Sequence, residues 1–307
     1  MKKDEFLKRY ESLLDSPTDF MACLSEPAPR SFRVNTLKSS SREVVEKFES
    51  YGFQLKALPF YSNGFECGGE FTSTLEFFQG KVYAQEVVSM LPPLLFRESF
   101  EKEKAVSVLD ACAAPGSKTT MLSAMLENKG VIVANDQDYI RLKALKSNLE
   151  RAGCANVLMT NHDLRRMKTP DFDFILLDAP CSSEGTIRKN WKALETWTLK
   201  RVFNASRLQK ELIENAFTRL KVGGSMVYST CTFAPEENEE VVQHLVSKHE
   251  GRLELEPISF EGFKTSPGVR EWQGKQFDSE IVEKVARVWP HHNDTGGFFL
   301  AKIRRLE

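Results

Sequence analysis

No stretch of this chain approaches the roughly 20 apolar residues of a membrane-spanning helix, and the opening MKKDE has no apolar run behind it. Neither a membrane span nor a signal peptide is expected. Net charge is equally scarce. Lys and Arg number 42 against 43 Asp and Glu, leaving −1, so no global basic field announces a nucleic-acid partner and any such site must be local. Cysteine is sparse and scattered: the six, Cys23, Cys67, Cys112, Cys154, Cys181 and Cys231, form no C-x-x-C pair and no metal-like group with histidine. That argues against a disulfide frame and suits reduced thiols in a cytosol. Both familiar nucleotide loops are also missing, since G-x-G-x-x-G needs three glycines and a P-loop ends in G-K-[ST]. The 307 residues are enough for one large domain or two unequal ones.

What is present is organised around Val106 to Ala124, VSVLDACAAPGSKTTMLSA. An apolar run (Val106, Val108, Leu109) stops at Asp110, a tight stretch holds Pro115 and Gly116, and a helix-compatible segment opens at Ser117. The order is strand, turn, helix. Gly116 lets backbone approach a ligand, and free N–H groups at the helix start favour a negatively charged group.

Upstream, Phe6, Leu7, Tyr10, Leu13 and Leu14 have helical spacing that ends at Ser16-Pro17. Phe32 to Leu37 alternates like a strand, Ser41 to Tyr51 has a helical apolar face, and Gln54 to Phe60 reads as a second strand. These make a small α+β unit with a basic edge at Arg30, Arg33 and Lys38. A helix pattern over Gly80 to Leu95 is broken by Pro92-Pro93, and Arg97 to Lys104 reads as a linker. From residue 101 strands (Gly130–Asn135, Val157–Asn161, Phe172–Asp178, Ser225–Thr230, Gly296–Ile303) alternate with helices. The helices are Asp138–Ala152, Arg207–Leu220 stopping at Gly223-Gly224, and Pro235–Lys248. Such alternation predicts an α/β fold with a mostly parallel sheet, which binds ligands at the carboxyl ends of its strands.

Those ends carry Asp110, Asp136, Asp163, Asp178 and Thr230-Cys231. Asp136 lies about 20 residues past Gly116, where a strand-end carboxylate can accept from ribose hydroxyls. A single such aspartate is commonly a cap or turn former, and Asp163 alone reads that way. Four at successive ends favour an adenosine-type ligand, with Asp110 holding the loop. Cys181 (LLDAPCSSEGT) and Cys231 (VYSTCTFAPEENE) each follow an apolar strand. A nucleophilic thiol needs cationic or helix-terminal help, for which the helix near Pro235, Lys118 and Arg188-Lys189 are candidates. The other thiols away from the loop read as small buried hydrophobes.

VLDACAAPGSKTT, LLDAPCSSEGTIRKN and YSTCTFAPEENE, with FRVNTLK upstream and RVWPHHNDTGGFF near the end, resemble the Nop/Sun (NSUN) family of S-adenosylmethionine-dependent RNA cytosine-5 methyltransferases. The resemblance runs from about Arg33 to the C-terminus. It implies a Rossmann-like class I methyltransferase domain over 101–307, preceded by an RNA-contacting α+β domain over 1–100. By it, Cys112, Ala113, Ala114, Pro115, Gly116, Ser117 and Lys118 wrap the methionine end of S-adenosylmethionine, Asp136 holds the ribose, Asp163 sits by the adenine and Arg141 lines the same pocket. Cys231 aligns with the nucleophile, Cys181 with the cysteine that helps release product, and Asp178 contacts both cofactor side and target base.

Arg33 and Asn35 are then expected near the active site. Arg30, Arg33, Lys38, Arg188, Lys189, Lys200, Arg201 and Arg207 are candidate phosphate contacts. The expected substrate is RNA, with tRNA favoured over rRNA because no long extension beyond the core is evident. A cytoplasmic monomer is expected, with an accessory protein as an option for substrate choice. His291-His292 with Asp294 is read as shaping the base pocket or a turn, with no metal. A non-catalytic RNA-binding assembly factor needs none of these site residues together. A DNA cytosine methyltransferase would use a cysteine at the Cys181 position and usually carries a larger insert.

Overall fold

The structure, a computed structural model, describes residues 2–168 and 170–307. Alternating apolar residues near the N-terminus build a four-stranded antiparallel sheet from β1 (Ser31–Val34), β2 (Gln54–Leu58), β3 (Tyr61–Gly68) and β4 (Val82–Ala84), ordered β2-β3-β1-β4. The helix Ser41–Ser50 starts at a capping box between Ser40 and Glu43 and buries Val44 and Phe48 against Phe32, Phe65 and Phe71.

The second sheet has a parallel half made of β5 (Ser107–Asp110), β6 (Val131–Asn135), β7 (Val157–Thr160), β8 (Phe172–Asp178) and β9 (Leu220–Thr230). Beyond it lie β10 (Leu253–Glu256), a separate ribbon of β11 (Glu271–Trp272) and β12 (Lys275–Gln276), then β13 (Ala286–Val288) and β14 (Phe298–Arg305). The order is β10-β14-β9-β8-β5-β6-β7, with β13 beside β14 and β14 antiparallel to its neighbours. Period-two alternation divides the core. Leu109, Ile175, Leu177 and Tyr228 face the helices Leu199–Thr218 and Glu239–Lys248, while Val108, Leu176 and Val227 face Met121, Leu122 and Phe96. Truncating one of these leucines to alanine would cost about 2–5 kcal/mol. This is the α/β fold with a largely parallel sheet and helices on both faces that the strand–helix alternation predicts.

Several local expectations are corrected. The strand expected over Gln54–Phe60 turns back at Pro59-Phe60 into a further strand, β3. Gly80–Leu95 is not a helix: it holds β4, a 3-10 turn and the short helix Leu91–Leu94, in which Pro92 and Pro93 occupy the first turn, where a missing N–H is tolerated. The supposed linker is helical over Arg97–Lys102 and buries Phe100 against Phe96 and Phe174. Thr198 caps the helix Leu199–Thr218, which thus begins a full two turns before Arg207; Gly223-Gly224 lie inside β9, where Asp173 O would be 2.7 Å from a Cβ on Gly224. Finally, Pro235–Asn238 form turns and the helix opens at Glu239.

Residues 2–25 do not join the four-stranded sheet. Their helices, Lys2–Tyr10 and Pro17–Ser25, put Phe6, Tyr10, Phe20 and Leu24 against Trp197, Phe233, Trp272 and Trp289 of the larger unit.

Candidate active site

β5 ends at Asp110, and the chain turns through Ala111–Gly116 before the helix Ser117–Met125. Gly116 has φ +103°, and a Cβ there would fall 2.7 Å from Leu145 Cδ1, so the loop requires glycine. Ala113 N–H donates to Asn135 O at 2.7 Å, and Thr119 Oγ1 donates to Asp110 Oδ2 at 2.7 Å. Burial pushes the Asp110 carboxyl up to about 7 against that hydrogen bond, with Asp178 and Asp136 adding to the rise. Asp110 thus holds the loop from below.

At the end of β6, Asp136 Oδ1 accepts from Asp138 N–H at 2.9 Å, while Oδ2 accepts from Ala114 N–H and faces Arg141 Nη1, both at 3.2 Å. Arg141 also donates to the Ala114 carbonyl. A cavity of about 360 Å³ opens above these residues. Cys112, Ala114, Asp136 and Arg141 line one part, Asp178, Cys181 and Cys231 another, and Leu164, Leu208 and Leu212 supply apolar wall. Ala113, Pro115, Gly116, Ser117 and Lys118 shape the loop without lining the cavity. Asp163 points elsewhere: its Oδ2 accepts from Arg165 Nη2 at 2.7 Å, and its neighbours His162 and Leu164 do the lining. Asn135, Gln137, His162 and Ser183 were missed; only their places beside Asp136, Asp163 and Cys181 mark them in sequence.

Two parallel strand ends bring the reactive groups together. Cys181, after β8, and Cys231, after β9, have Sγ atoms 3.2 Å apart. The Cys181 thiol is pushed well above its usual range by that contact and by burial, so it is a neutral thiol. Burial and the three nearby aspartates likewise raise Cys112. Asp178 Oδ1 accepts from Ser229 Oγ at 2.8 Å and Oδ2 from Lys118 Nζ at 2.6 Å. Burial alone would lower Lys118, but Asp178, Asp110 and Cys231 outweigh it and its pKa is raised. Lys118 therefore stays an ammonium.

The loops carrying the cysteines rest on two buried glutamates. Glu184 accepts from Tyr10 Oη, Trp197 Nε1, Thr232 Oγ1 and Phe233 N–H, at 2.6–3.0 Å. Glu237 accepts from Ser182 N–H and Gln209 Nε2, both at 2.9 Å, and is pushed up to about 7 by burial and by Glu184.

Other expectations are corrected here. The helix after Cys231 opens at Glu239 rather than at Pro235, and its N-cap residue Asn238 accepts from Thr230 Oγ1 at 2.6 Å and donates to the Thr232 carbonyl at 3.0 Å, on either side of Cys231. Arg188 is buried on Asp294 and the carbonyls of Glu26, Pro27 and Thr295. Lys38 donates to the carbonyls of Gln79 and Arg151, and Arg33 is only 1% exposed. Arg188 and Arg33 thus serve the fold, and Lys38, although exposed, is tied to backbone carbonyls. His291 and His292 bond Asp15, not Asp294.

Residues 99–304 match the family model described as 16S rRNA methyltransferase RsmB/F. The chain belongs to this family. Its members, the Nop/Sun proteins, are S-adenosylmethionine-dependent RNA methyltransferases. Residues 3–87 further match the N-terminal domain of 16S rRNA methyltransferase RsmF. The chain is 40% identical, over 94% of its length, to the ribosomal RNA small subunit methyltransferase F of Shewanella woodyi, of which it spans only 59%. It is also 40% identical to a tRNA (cytosine(49)-C(5))-methyltransferase of Pyrococcus abyssi, covering 99% of this chain and 98% of that one. Among solved structures, a methyltransferase homolog from Pyrococcus horikoshii superposes with a TM-score of 0.83 at 36% identity over 95% of this chain and 91% of its own. NSun6 from Pyrococcus horikoshii, solved with SFG, gives 0.83 at 25% identity over 98% and 97%.

The cavity of this RsmB/F chain fits the family's cofactor. A buried strand-end carboxylate, Asp136, suits ribose hydroxyls, the leucine wall suits a flat apolar ring, and the glycine-turned loop lets backbone N–H groups approach a carboxylate.

Proposed function

We propose that this chain methylates carbon 5 of cytosine in RNA through a covalent adduct on Cys231. The observation that carries the reading is the thiol pair, 3.2 Å apart, beside Asp178 in the cofactor-sized cavity. S-adenosylmethionine, when bound, supplies an electrophilic methyl group. Carbon 5 of cytosine is a poor nucleophile, and adding the Cys231 thiolate at carbon 6 makes the ring an enamine whose carbon 5 can attack. Lys118 places positive charge where that thiolate forms, and Asp178 is positioned to share a proton with the ring nitrogen and hold the adduct. A base, solvent water in the open cavity, then takes the carbon 5 proton, the C–H electron pair re-forms the bond between carbons 5 and 6, and Cys231 leaves as a thiolate. Cys181, kept as a thiol, directs its S–H at the departing sulfur. The base must be unpaired or flipped to reach the cavity.

The favoured substrate is tRNA, supported by the near end-to-end alignment with the Pyrococcus abyssi relative. rRNA is the second reading, favoured by the RsmF-type N-terminal match. We place the reaction in the cytoplasm, on a monomer. A denaturing gel tests both chemistry and substrate. Cys181→Ala, incubated with cofactor and labelled total RNA, should give a slow-migrating adduct that the Cys181→Ala, Cys231→Ala double variant lacks, and the trapped RNA can be sequenced. An adduct that survives loss of Cys231 overturns the assignment. No adduct and no methyl incorporation by the unaltered chain would favour the assembly-factor reading.

A further inference from the structure

A second cavity, about 370 Å³, lies in the cleft between the four-stranded unit and the larger sheet unit. It shares no lining residue with the cofactor cavity, and the segment from Cys181 to Thr186 divides the two. Its inner wall belongs to the catalytic segment: Gly185 N–H donates to the Cys231 carbonyl at 2.9 Å and Gly297 N–H to the Gly185 carbonyl at 3.0 Å. Gly296 N–H donates to Glu86 Oε1 at 2.7 Å. A Cβ on Gly185 would fall 2.2 Å from Gly297 O, and one on Gly296 would fall 2.1 Å from Glu86 Oε1. The cavity thus comes within one hydrogen bond of the nucleophile's backbone with no side chain between.

Pro27, Pro29 and Ala84 give the cleft apolar surface. Two charges remain to act on a ligand. The other oxygen of Glu86 has no partner among the described residues, and neither does the exposed Lys189; Arg30 at the rim is tied to Glu70, and Arg188 to Asp294. A carboxylate over apolar walls accepts from an amino group, and a nearby ammonium meets a phosphate.

We propose that this cleft takes the base of a nucleotide adjoining the target cytosine, with an exocyclic amino group on Glu86 and a phosphate on Lys189. The inference rests on the RNA reading above. Cytosine, adenine and guanine carry that amino group. Uracil offers only carbonyl oxygens at those positions, which a carboxylate repels, so the cleft discriminates against uridine at one neighbouring position.

Equilibrium binding tests this without any methyl transfer. The probes are 12-nucleotide single-stranded RNAs with a central cytosine and each of the four bases, or no base, on either side. At one of the two positions, removing the base or placing uracil should weaken binding roughly tenfold. Glu86→Gln, which keeps the acceptor for Gly296, should erase the difference between uracil and the other bases, and Lys189→Gln should lower the salt slope by about 0.7. Ala28→Trp, which fills the cleft and leaves Glu86 untouched, should weaken every RNA alike. Unchanged affinity for S-adenosylhomocysteine checks that each variant is folded. The proposal is overturned if base removal on both sides leaves affinity within about twofold, or if discrimination survives in Glu86→Gln. Failure of the adduct gel alone would sink the methyl-transfer reading and leave this binding result standing.

Discussion

Arg33 Nη2 donates to Thr120 Oγ1 at 2.6 Å, and Thr120 Oγ1 in turn donates to the Gly116 carbonyl at 2.7 Å. The relay ties β1 of the four-stranded unit to Gly116, which turns the loop after β5. Arg33 is buried with no carboxylate partner among the described residues; burial lowers its pKa, and its other bonds run from Nε to Gln85 Oε1 at 2.8 Å and from Nη2 to the Ser117 carbonyl at 3.3 Å. Arg33→Met should leave Gln85 and Thr120 short of a donor and lower stability by about 2–4 kcal/mol in urea unfolding. It should also weaken S-adenosylhomocysteine binding by calorimetry. Arg33→Lys should not rescue either, because a point ammonium cannot span both acceptors. Unaltered cofactor affinity in Arg33→Met would show that the relay does not reach the loop.

Asp110 and Glu237 make stability depend on pH. Both carboxyls are buried and raised to about 7, from 3.8 and 4.5. Between about pH 4.5 and 7 the folded protein keeps protons that the unfolded chain has lost, so stability falls as pH rises through that window and levels off above it. The shifts correspond to about 3–4 kcal/mol per group at about 1.4 kcal/mol per pH unit. Urea midpoints from pH 5 to 8 should show the decline, and Asp110→Asn or Glu237→Gln should flatten it. A midpoint that climbs across this range in the unaltered protein would contradict the assignment.

Of the cations that the sequence offers to the strand-end thiols, Lys118 is the one the structure places beside Asp178 and Cys231. Its ammonium holds Asp178 at 2.6 Å and lies in the field of Cys231. Lys118→Met should therefore lower the single-turnover rate of methyl transfer about 100-fold, with a smaller change in RNA affinity. Equal losses in rate and affinity would mean that Lys118 acts by binding RNA.

The strand, turn and helix around Gly116 were legible because the apolar period changes at Asp110 and a lone glycine marks the turn. The alternation from residue 101 likewise predicts the parallel sheet. What stayed hidden depends on distant chain. Arg33 reads as an edge cation until a helix more than eighty residues away buries it, and Asp163 reads as a strand-end carboxylate like Asp136 until Arg165 takes it. Pro92-Pro93 and Gly223-Gly224 misled for a different reason: a breaker disturbs only the backbone position that needs its missing N–H or side chain, and the first turn of a helix and a close strand crossing do not.

Asp15 closes the molecule, joining the segment before Pro17–Ser25 to the short helix Pro290–Asn293. Its Oδ1 lies 2.7 Å from His291 Nε2 and its Oδ2 2.8 Å from His292 Nε2. Three such groups could suggest a metal, but ligands about 2.0 Å from a tetrahedral zinc stand about 3.3 Å apart. The observed spacing is that of hydrogen bonds. These bonds hold the Asp15 carboxyl below its usual range, while burial lowers His292. Both shifts act in one direction. Lowering the pH through the histidine and then the carboxylate range lets the unfolded chain take up protons that the folded one resists, so this contact stabilises near neutrality and is lost in acid. Asp15→Ala should lower the melting temperature by about 2–4 °C at pH 7.5, and the difference from the parent should shrink towards pH 4. Neither EDTA nor equimolar zinc should move the parent's melting temperature. A rise with zinc that Asp15→Ala abolishes would mean that the ion can displace these hydrogen bonds, and the cluster would then have to be reread as a metal site.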